Sequence, residues 1–162
     1  MHLETLLGTT KSLNDRCGTM TRRFDDCSWE VIAACIEVHR ELGPGLLEAI
    51  YEECFCDELR SRGLAFERQK PAIVTYKGRK LEQGYRTDLI VQGQLLVEIK
   101  AIDSLLAVHV AQTVTYLRLC GLDTGLLVNF NAETIRGGLR RIFRTPQTFC
   151  PSALPVKKSG AV

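Results

Sequence analysis

The chain has 162 residues, of which 45% are hydrophobic and 25% are charged, and its net charge at pH 7 is +2. These values are ordinary for a soluble globular protein, and the length suits one α/β domain with its own core. So small a net charge speaks against avid non-specific binding to duplex DNA, so any nucleic acid must bind a local basic surface.

The cysteines and the apolar segments exclude several other classes of protein. Seven cysteines form no C-x-x-C pair, and the three histidines form no ligand cluster with them, which argues against a zinc site and a disulfide framework. We predict reduced thiols in a cytoplasmic protein. No apolar segment approaches about 18 residues, so we expect no membrane-spanning helix and no secretory signal.

Both ends of the chain differ in character from its middle. Residues 1–24 carry no clear hydrophobic period and are predicted to be a disordered extension. Residues 145–162 contain three of the five prolines and are predicted to be a disordered tail. The folded domain is therefore predicted to span residues 25–144.

Two helices open the predicted domain. Ser28 can cap a helix that runs to about Leu42 and is stopped by Gly43-Pro44-Gly45. A second helix follows to about Arg62 and is ended by Gly63. The residues expected to be buried by this helix include Leu47, Ile50 and Cys54.

The rest of the domain is predicted to form three strands, a helix and two further strands. The segments are Phe66–Tyr76, Leu81–Val91, Gln94–Ala101, the helix Leu106–Cys120, and the strands Gly125–Phe130 and Leu139–Phe143. The strand that follows the third helix is apolar throughout, so we expect it to be central and parallel to its neighbour. The order ααβββαββ predicts an α/β fold with a mixed β-sheet flanked by helices.

Three charged residues interrupt the apolar hairpin YRTDLIVQGQLLVEIKA, namely Asp88, Glu98 and Lys100. Buried charges are costly unless they are paired or bind a metal. Glu98 and Lys100 are two residues apart, so on a strand they share one face. Asp88 shares that face only if the loop has an odd number of residues. We predict the three-residue loop Val91-Gln92-Gly93, with Gly93 left-handed, because a two-residue Gln92-Gly93 turn would separate the acids.

The spacing of Asp88, nine residues, then Glu98-Ile99-Lys100 resembles the PD-(D/E)XK nuclease superfamily. In that superfamily the two acids and the carbonyl group of the residue between Glu and Lys hold Mg²⁺, for which Mn²⁺ can substitute. The lysine orients or activates the attacking water. The resemblance implies metal ligands at Asp88, Glu98 and the backbone carbonyl of Ile99, with Lys100 as a catalytic residue. The alternative is a hairpin in which Lys100 only neutralises Glu98.

The segment Gly45-Leu-Leu-Glu48-Ala-Ile-Tyr51 fits the signature of the small bacterial and archaeal group of GxxExxY proteins. The segments EVHRELGPG, YKGRKL and GLLVNFN extend this resemblance over about residues 22–144. The resemblance implies a restriction-endonuclease-like sandwich. It also puts Glu48 where RecB-type nucleases have an acid that approaches the metal from an early helix. The alternative is a first-turn acid favoured by the helix dipole.

Gln112 and Tyr116 lie four residues apart on the third predicted helix and face the same way. They match the QxxxY element of RecB-type exonuclease domains, which borders the active site, so the resemblance implies a catalytic role for both. We interpret His109, one turn earlier, as a boundary residue. The alternative is a core tyrosine beside a surface glutamine.

The function implied by these resemblances is that of a Mg²⁺-dependent nuclease that hydrolyses phosphodiester bonds of DNA, with RNA as the second choice. One alternative is a non-catalytic nucleic-acid-binding or adaptor protein that keeps the nuclease fold. Another is a protein whose acids form only an ion-pair network. The expected partner is nucleic acid and not a membrane, and a homodimer is left open.

Overall fold

The helices and strands closely follow the predicted plan. The computed structural model describes residues 27–144, the side chains of residues 82–84 excepted, and the predicted disordered segments 1–24 and 145–162 lie outside this range. The described chain contains four helices and five strands. In chain order they are α1 (Ser28–Leu42), α2 (Glu48–Ser61), β1 (Phe66–Tyr76), β2 (Arg79–Val91), β3 (Leu95–Lys100), α3 (Ala107–Cys120), β4 (Thr124–Asn129), α4 (Ile135–Gly138) and β5 (Leu139–Phe143).

The five strands form one mixed sheet in the order β1-β2-β3-β4-β5. β1, β2 and β3 pair antiparallel, β3 and β4 pair in parallel, and β5 returns antiparallel to β4. Helix α3 makes the crossover between the two parallel strands. The α/β class, the mixed sheet and the parallel pairing of the central strand are therefore confirmed.

The predicted order ααβββαββ is wrong in one respect, because it lacks the short helix α4. With α4 between β4 and β5 the order becomes ααβββαβαβ. Four residues make barely one turn and show no helical period, and two of them are glycines, which are poor helix formers. The helix is capped by Thr134, whose side chain accepts a hydrogen bond from the Gly137 N–H at 3.2 Å.

Helices cover both faces of the sheet. On one face, α1 and α2 pack in a core cluster with Leu95, Val97 and Ile99 of β3. On the other face, α3 packs in a second cluster that includes Leu96 of β3. Because side chains alternate along a strand, the even-numbered residues that follow Leu96 on β3 face the α3 side. These residues are Glu98 and Lys100.

The loop between β2 and β3 has the predicted odd length but begins one residue later than predicted. Val91 pairs with Leu95, so the loop is Gln92-Gly93-Gln94 and not Val91-Gln92-Gly93. Gly93 is left-handed as expected, with φ of 67°, and Gln92 has φ of 53°. A shift of the whole three-residue loop preserves the alternation of faces, so the argument about the faces of the acids still holds.

Tyr51 holds the loop between α1 and α2. Its hydroxyl group donates to the Gly43 carbonyl at 2.6 Å and accepts from the Leu46 N–H at 3.2 Å. Its ring stacks on Phe130 with a centroid distance of 4.9 Å. Gly43 and Gly45 have φ values of 65° and 104°, which side chains rarely adopt. Gly43, together with Gly45 and Tyr51 of the G-x-x-E-x-x-Y pattern, therefore fixes the chain that leads into α2.

Three local predictions about the first two helices are wrong. Ser28 is the first residue of α1, and Cys27 occupies the cap position. Leu47 and Ile50 are 76% and 47% exposed, not buried. Leu47 precedes the first turn of α2, and Ile50 lies about 100° around the helix from the row that packs in the core. That row consists of Tyr51, Phe55 and Leu59.

Gly138 provides a test of the packing that follows β4. A Cβ atom at this position would collide with the carbonyl oxygen of Asn129 and lie 2.7 Å from the Cβ of Ala132. We expect Gly138→Ala to lower the free energy of unfolding by about 1–3 kcal/mol, measured by urea denaturation.

The matched control is Gly137→Ala, in the same short helix. Its Cβ would meet only the Thr134 Oγ1, at 3.4 Å, so we expect a denaturation midpoint close to that of the wild type. Equal midpoints for the two variants would contradict the close approach at Gly138.

Candidate functional site

The acids and the lysine of the hairpin meet where β3 ends. Leu89 pairs with Val97, and the same register sets Asp88 opposite Glu98. The carboxylate of Asp88 also reaches across to β3, where its Oδ2 accepts a hydrogen bond from the Ile99 N–H at 2.7 Å. The structure thus brings together Asp88, Glu98 and the backbone of Ile99, as the odd loop predicts.

Lys100 lies in the middle of this group. Its Nζ is 2.9 Å from the Glu98 Oε1 and 2.8 Å from the Ile99 carbonyl oxygen. The Asp88 Oδ2 is 3.9 Å away, and the Glu48 Oε1 is 4.0 Å away. One ammonium group therefore stands among three carboxylates and a carbonyl oxygen.

Glu98 is the most deeply buried of these charged groups. It is 2% exposed, and its Oε2 has no hydrogen-bond partner in the part of the chain that the structure describes. Burial and, after it, the nearby charge of Asp88 raise the pKa of Glu98 to about 7, although the charge and the hydrogen bond of Lys100 oppose this rise. The cluster thus contains a carboxylate oxygen that is desolvated and uncompensated.

The other two charges respond to the same environment. Burial raises the pKa of Asp88 to about 6, although the hydrogen bond from Ile99 and the charge of Lys100 both oppose this rise. Burial lowers the pKa of Lys100, but the charges of Glu98 and Asp88 outweigh it and leave the pKa above its usual value. The lysine is therefore held in its charged form by the acids.

The donor atoms fit a hard divalent cation. Carboxylate and carbonyl oxygens are the ligands that Mg²⁺ and Mn²⁺ prefer, and the unpartnered Oε2 of Glu98 is the kind of atom that a cation would satisfy. Among residues 27–144, no three His, Cys, Asp or Glu side chains meet in an arrangement ready to hold a metal. In this structure the acids have the Lys100 ammonium group as their neighbour.

Glu48 approaches the cluster from the other layer of the fold. It is the first residue of α2, where the helix dipole favours an acid, and it follows the loop that Tyr51 holds. Its side chain is more exposed than those of Asp88 and Glu98. Glu48 can therefore be favoured by the helix dipole and lie close to the cluster at the same time.

Gln112 and Tyr116 of α3 form a hydrogen-bonded pair beside the cluster. The Gln112 Nε2 donates to the Tyr116 hydroxyl group at 2.7 Å. Burial raises the pKa of Tyr116, the bond from Gln112 opposes the rise, and the charges of Glu98 and Asp88 add to it. The tyrosine therefore lies within electrostatic reach of both acids.

His109 takes part in the start of α3. Its Nδ1 accepts a hydrogen bond from the Leu106 N–H at 3.0 Å, where Leu106 occupies the cap position. This contact gives the ring a structural role at the helix end, in keeping with a boundary residue.

Two residues near the site were missed by the sequence analysis. Asn129 is buried at the end of β4, next to Lys100 in the parallel pair, and its Oδ1 and Nδ2 bind the N–H and the carbonyl of Ile102. It thereby holds the chain that leaves β3. Tyr85 is 51% exposed, and its ring meets that of Tyr116 edge to face at 5.7 Å. Asn and Tyr occur in many strands, so neither position gave a signal in the sequence.

The family of the chain follows from comparison with known proteins. A family model of the PD-(D/E)XK nuclease superfamily matches residues 25–142, and the chain belongs to this superfamily. Searches of the curated proteins and of the solved structures returned no match. The α/β fold is consistent with the restriction-endonuclease-like fold of this superfamily, whose members are usually nucleases and generally use divalent metals such as Mg²⁺.

The superfamily implies a nucleic-acid substrate. Within residues 27–144, none of the helices combines the length and the apolar character needed to cross a membrane.

The raised pKa values predict how the metal-free protein responds to pH. A carboxyl group whose pKa is higher in the folded protein favours folding below its unfolded value, and this contribution is lost as pH rises through the folded value. For Asp88 and Glu98 the loss falls between about pH 4 and pH 7. We expect Asp88→Asn, whose amide oxygen can still accept from Ile99, to raise the free energy of unfolding by about 1–3 kcal/mol at pH 8.

The measurement is thermal melting in a chelator at pH 5 and pH 8. The gain should be smaller at pH 5, where the native carboxyl groups are largely protonated. Asp103→Asn, at an exposed position, is the control and should show no such dependence. An Asp88→Asn protein less stable than the wild type at pH 8 would contradict the proposed cost of burying this charge.

Proposed function

We propose that the protein is a Mg²⁺-dependent nuclease that hydrolyses phosphodiester bonds of DNA, with RNA as the second choice of substrate. The observation that carries this proposal is the meeting of the buried Glu98 carboxylate and the partly buried Asp88 carboxylate with the Ile99 carbonyl and Lys100 at one end of β3. One Glu98 oxygen has no partner among the described residues. A buried group of this kind is expensive to maintain, and a nuclease site gives it a purpose.

The proposed metal ligands are the carboxylates of Asp88 and Glu98 and the carbonyl oxygen of Ile99. A divalent ion bound there would stabilise the negative charge that develops on the scissile phosphate. Mn²⁺ has the same preference for oxygen ligands and would be an alternative to Mg²⁺. The single N–H bond from Ile99 to Asp88 would keep this carboxylate directed at β3.

In this proposal Lys100 orients the attacking water and stabilises the phosphate. The surrounding acids raise its pKa, which favours donation of hydrogen bonds from a charged ammonium group over removal of a proton from water. Its closeness to Glu48, 4.0 Å away on the more exposed side, supports an assisting role for that acid in positioning Lys100.

Gln112 and Tyr116 are proposed to form the wall of the site. The hydrogen bond from Gln112 occupies an acceptor position of the Tyr116 hydroxyl group, so the tyrosine proton is available for an oxygen of the substrate. Because Tyr116 contributes one hydroxyl group, its loss would matter less than the loss of Lys100.

Membership of the GxxExxY group is also part of the proposal. The bonds of Tyr51 to Gly43 and Leu46, and the positive φ of Gly45 between them, give the tyrosine and the glycine of the pattern a physical role. This role is to position the start of the helix that carries Glu48. The free cysteines of the described chain are in keeping with a cytoplasmic location. The homodimer stays a prediction.

A non-catalytic nucleic-acid-binding or adaptor protein is the second candidate. It is favoured by the contacts of Lys100, because the ammonium group already binds two of the oxygens that a metal would use. In such a protein the cluster would be an ion-pair network that needs no metal.

Metal binding separates the two candidates through stability. If the oxygens bind a divalent ion in the native state only, Mg²⁺ or Mn²⁺ should raise the melting temperature. The free energy of unfolding should rise by about 2.7 kcal/mol when the ion concentration is 100 times the dissociation constant. We expect Glu98→Gln to lose most of this response, whereas Glu133→Gln, at an exposed position, should retain it. A melting temperature that neither ion changes, up to concentrations well above physiological, would favour the adaptor.

Catalysis gives the second test. We expect Lys100→Ala to lower the rate of cleavage by about 100-fold or more and to leave the metal-induced rise in melting temperature in place. Tyr116→Phe should cost less than Lys100→Ala. The measurement is cleavage of single-stranded, duplex and flapped DNA and of RNA, with Mg²⁺ or Mn²⁺.

Lys70→Ala, at a surface ion pair, is the control and should cleave like the wild type. Undiminished cleavage by Lys100→Ala would mean that the activity does not come from this site. Binding without cleavage on every substrate would support the adaptor.

A further inference from the structure

The hairpin of β1 and β2 extends beyond the rest of the sheet. β3 pairs with β2 at Leu89–Val91, and this register, continued along β3, sets its last residue, Lys100, opposite Arg86. The part of β2 that precedes Arg86 pairs with β1 alone, from Ala72 to Tyr76. Residues 72–86 therefore form a two-stranded arm, and the arm leaves the sheet at the end of β3 where Lys100 and the acids lie.

The arm is anchored at its base and exposed at its tip. Ala72 is buried in the core cluster of α3, and Tyr85 contacts Tyr116 of that helix. From residue 75 to residue 80 every position is exposed. Pro71 pairs with Arg86 and Tyr76 pairs with Arg79, and the register shifts between Ala72 and Val74, where β2 has the extra residues. The length of the arm is therefore set by β1, and the tip lies roughly 16 Å beyond the end of β3 at roughly 3.3 Å per residue.

The arm carries an excess of basic residues. The sequence from residue 77 to residue 86 has four basic residues, Lys77, Arg79, Lys80 and Arg86, against one acid, Glu82. Arg79, Lys80 and Arg86 make no ion pair with any of the side chains that the structure describes. Elsewhere on the surface, ion pairs to acids are made by Arg40, Arg60, Arg62, Arg68, Lys70 and Arg144.

The basic residues of the arm give a chain of small net charge a local surface on which nucleic acid could bind. A protein with a net charge of +2 can bind nucleic acid only through a local basic surface. A cation that makes no ion pair with the described side chains, such as Arg79 or Lys80, gains from a phosphate group without losing such a pair, which makes it better suited to this role than the paired arginines.

The shape and the position of the arm indicate the form of nucleic acid. A two-stranded β-ribbon is an element that the major groove of B-form DNA admits. Because the arm starts beside the site, a duplex with its scissile phosphate at Lys100 could run along it and meet the tip about 5 base pairs away, at roughly 3.4 Å per base pair. A single strand has no fixed rise over this distance and would not match the spacing between the site and the tip.

We propose that this arm binds duplex DNA that flanks the bond to be cleaved, through phosphate contacts of Lys77, Arg79 and Lys80. The proposal rests on the proposed nuclease function for the position of the substrate, but it concerns binding and not chemistry. The contacts are to phosphates, so the arm adds affinity and register without sequence preference.

The test is a pair of variants with equal net charge. The arm variant is Lys77→Asn, Arg79→Gln, Lys80→Gln, with Asn at residue 77 because its φ of 49° suits this residue. The control variant is Arg40→Gln, Arg60→Gln, Arg144→Gln, which removes three charges from exposed ion pairs. Both carry −1 in place of +2, so any effect of overall charge is shared.

Binding of a labelled duplex of about 20 base pairs is measured by fluorescence anisotropy in a chelator, over a range of salt concentrations. We expect the arm variant to bind at least about tenfold more weakly than the control variant. The slope of log K against log salt should fall by about 3, or 0.9 for each lost phosphate contact. Arg79→Gln alone should lower the slope by about 1. This single variant replaces the triple variant in the test if the triple variant does not fold.

Duplex length gives a second readout. On a duplex of about 3 base pairs, held together by a hairpin loop and too short to reach from the site to the tip, the arm variant and the control variant should bind equally. Equal binding on the long duplex, or a wild type that binds single strands only, would overturn the proposal. Arm-dependent binding without cleavage would support the proposal for the arm and contradict the proposed nuclease function. Cleavage with no dependence on the arm would support the nuclease function and contradict the proposal for the arm.

Discussion

The burial of the Glu98 carboxylate is the constraint on which the rest of the site depends. Only one of its oxygens is compensated, by the ammonium group of Lys100 at 2.9 Å, and Asp88 adds a second buried negative charge beside it. Lys100 therefore forms an ion pair with Glu98, and Asp88 accepts a hydrogen bond from the Ile99 N–H. The odd loop and the parallel strand β4 keep these groups in place, at a cost that the hydrophobic core on both faces must offset.

Much of the fold could be predicted because the chain has clear breaks and strong apolar runs. The glycines after α1, α2 and α3 and the alternation of β3 left few choices. The one-residue error in the loop has a physical reason, since both placements put Gly93 in the left-handed region and keep the acids on one face. The choice depends on the burial of Val91 and Leu95 and on the bond from the Gln92 N–H to the Ala65 carbonyl. These are tertiary contacts, which local patterns do not carry.

The residues proposed for the site differ in how visible they are in a sequence. Acids and a lysine inside an apolar hairpin stand out because burial is costly for them, so Asp88, Glu98 and Lys100 could be singled out from the sequence. Their proposed roles came from the resemblance to the PD-(D/E)XK superfamily. Asn129 and Tyr85 are types that occur in many strands without special purpose. Their positions beside Lys100 and Tyr116 follow from the pairing of β4 with β3 and from the packing of the arm on α3.

The ion-pair network and the proposed metal site would be compatible states of one cluster. Three carboxylates and one ammonium group carry a charge of −2 when all are ionised, which is the charge that one divalent cation would balance. In the metal-free state part of this excess is removed by protonation, in keeping with the raised pKa values of Asp88 and Glu98. Glu48, on the more exposed side of Lys100, offers the ammonium group another partner when oxygens of Glu98 and Ile99 are needed elsewhere. Lys100 would then serve as the cation of the resting protein and as a catalytic residue of the loaded one.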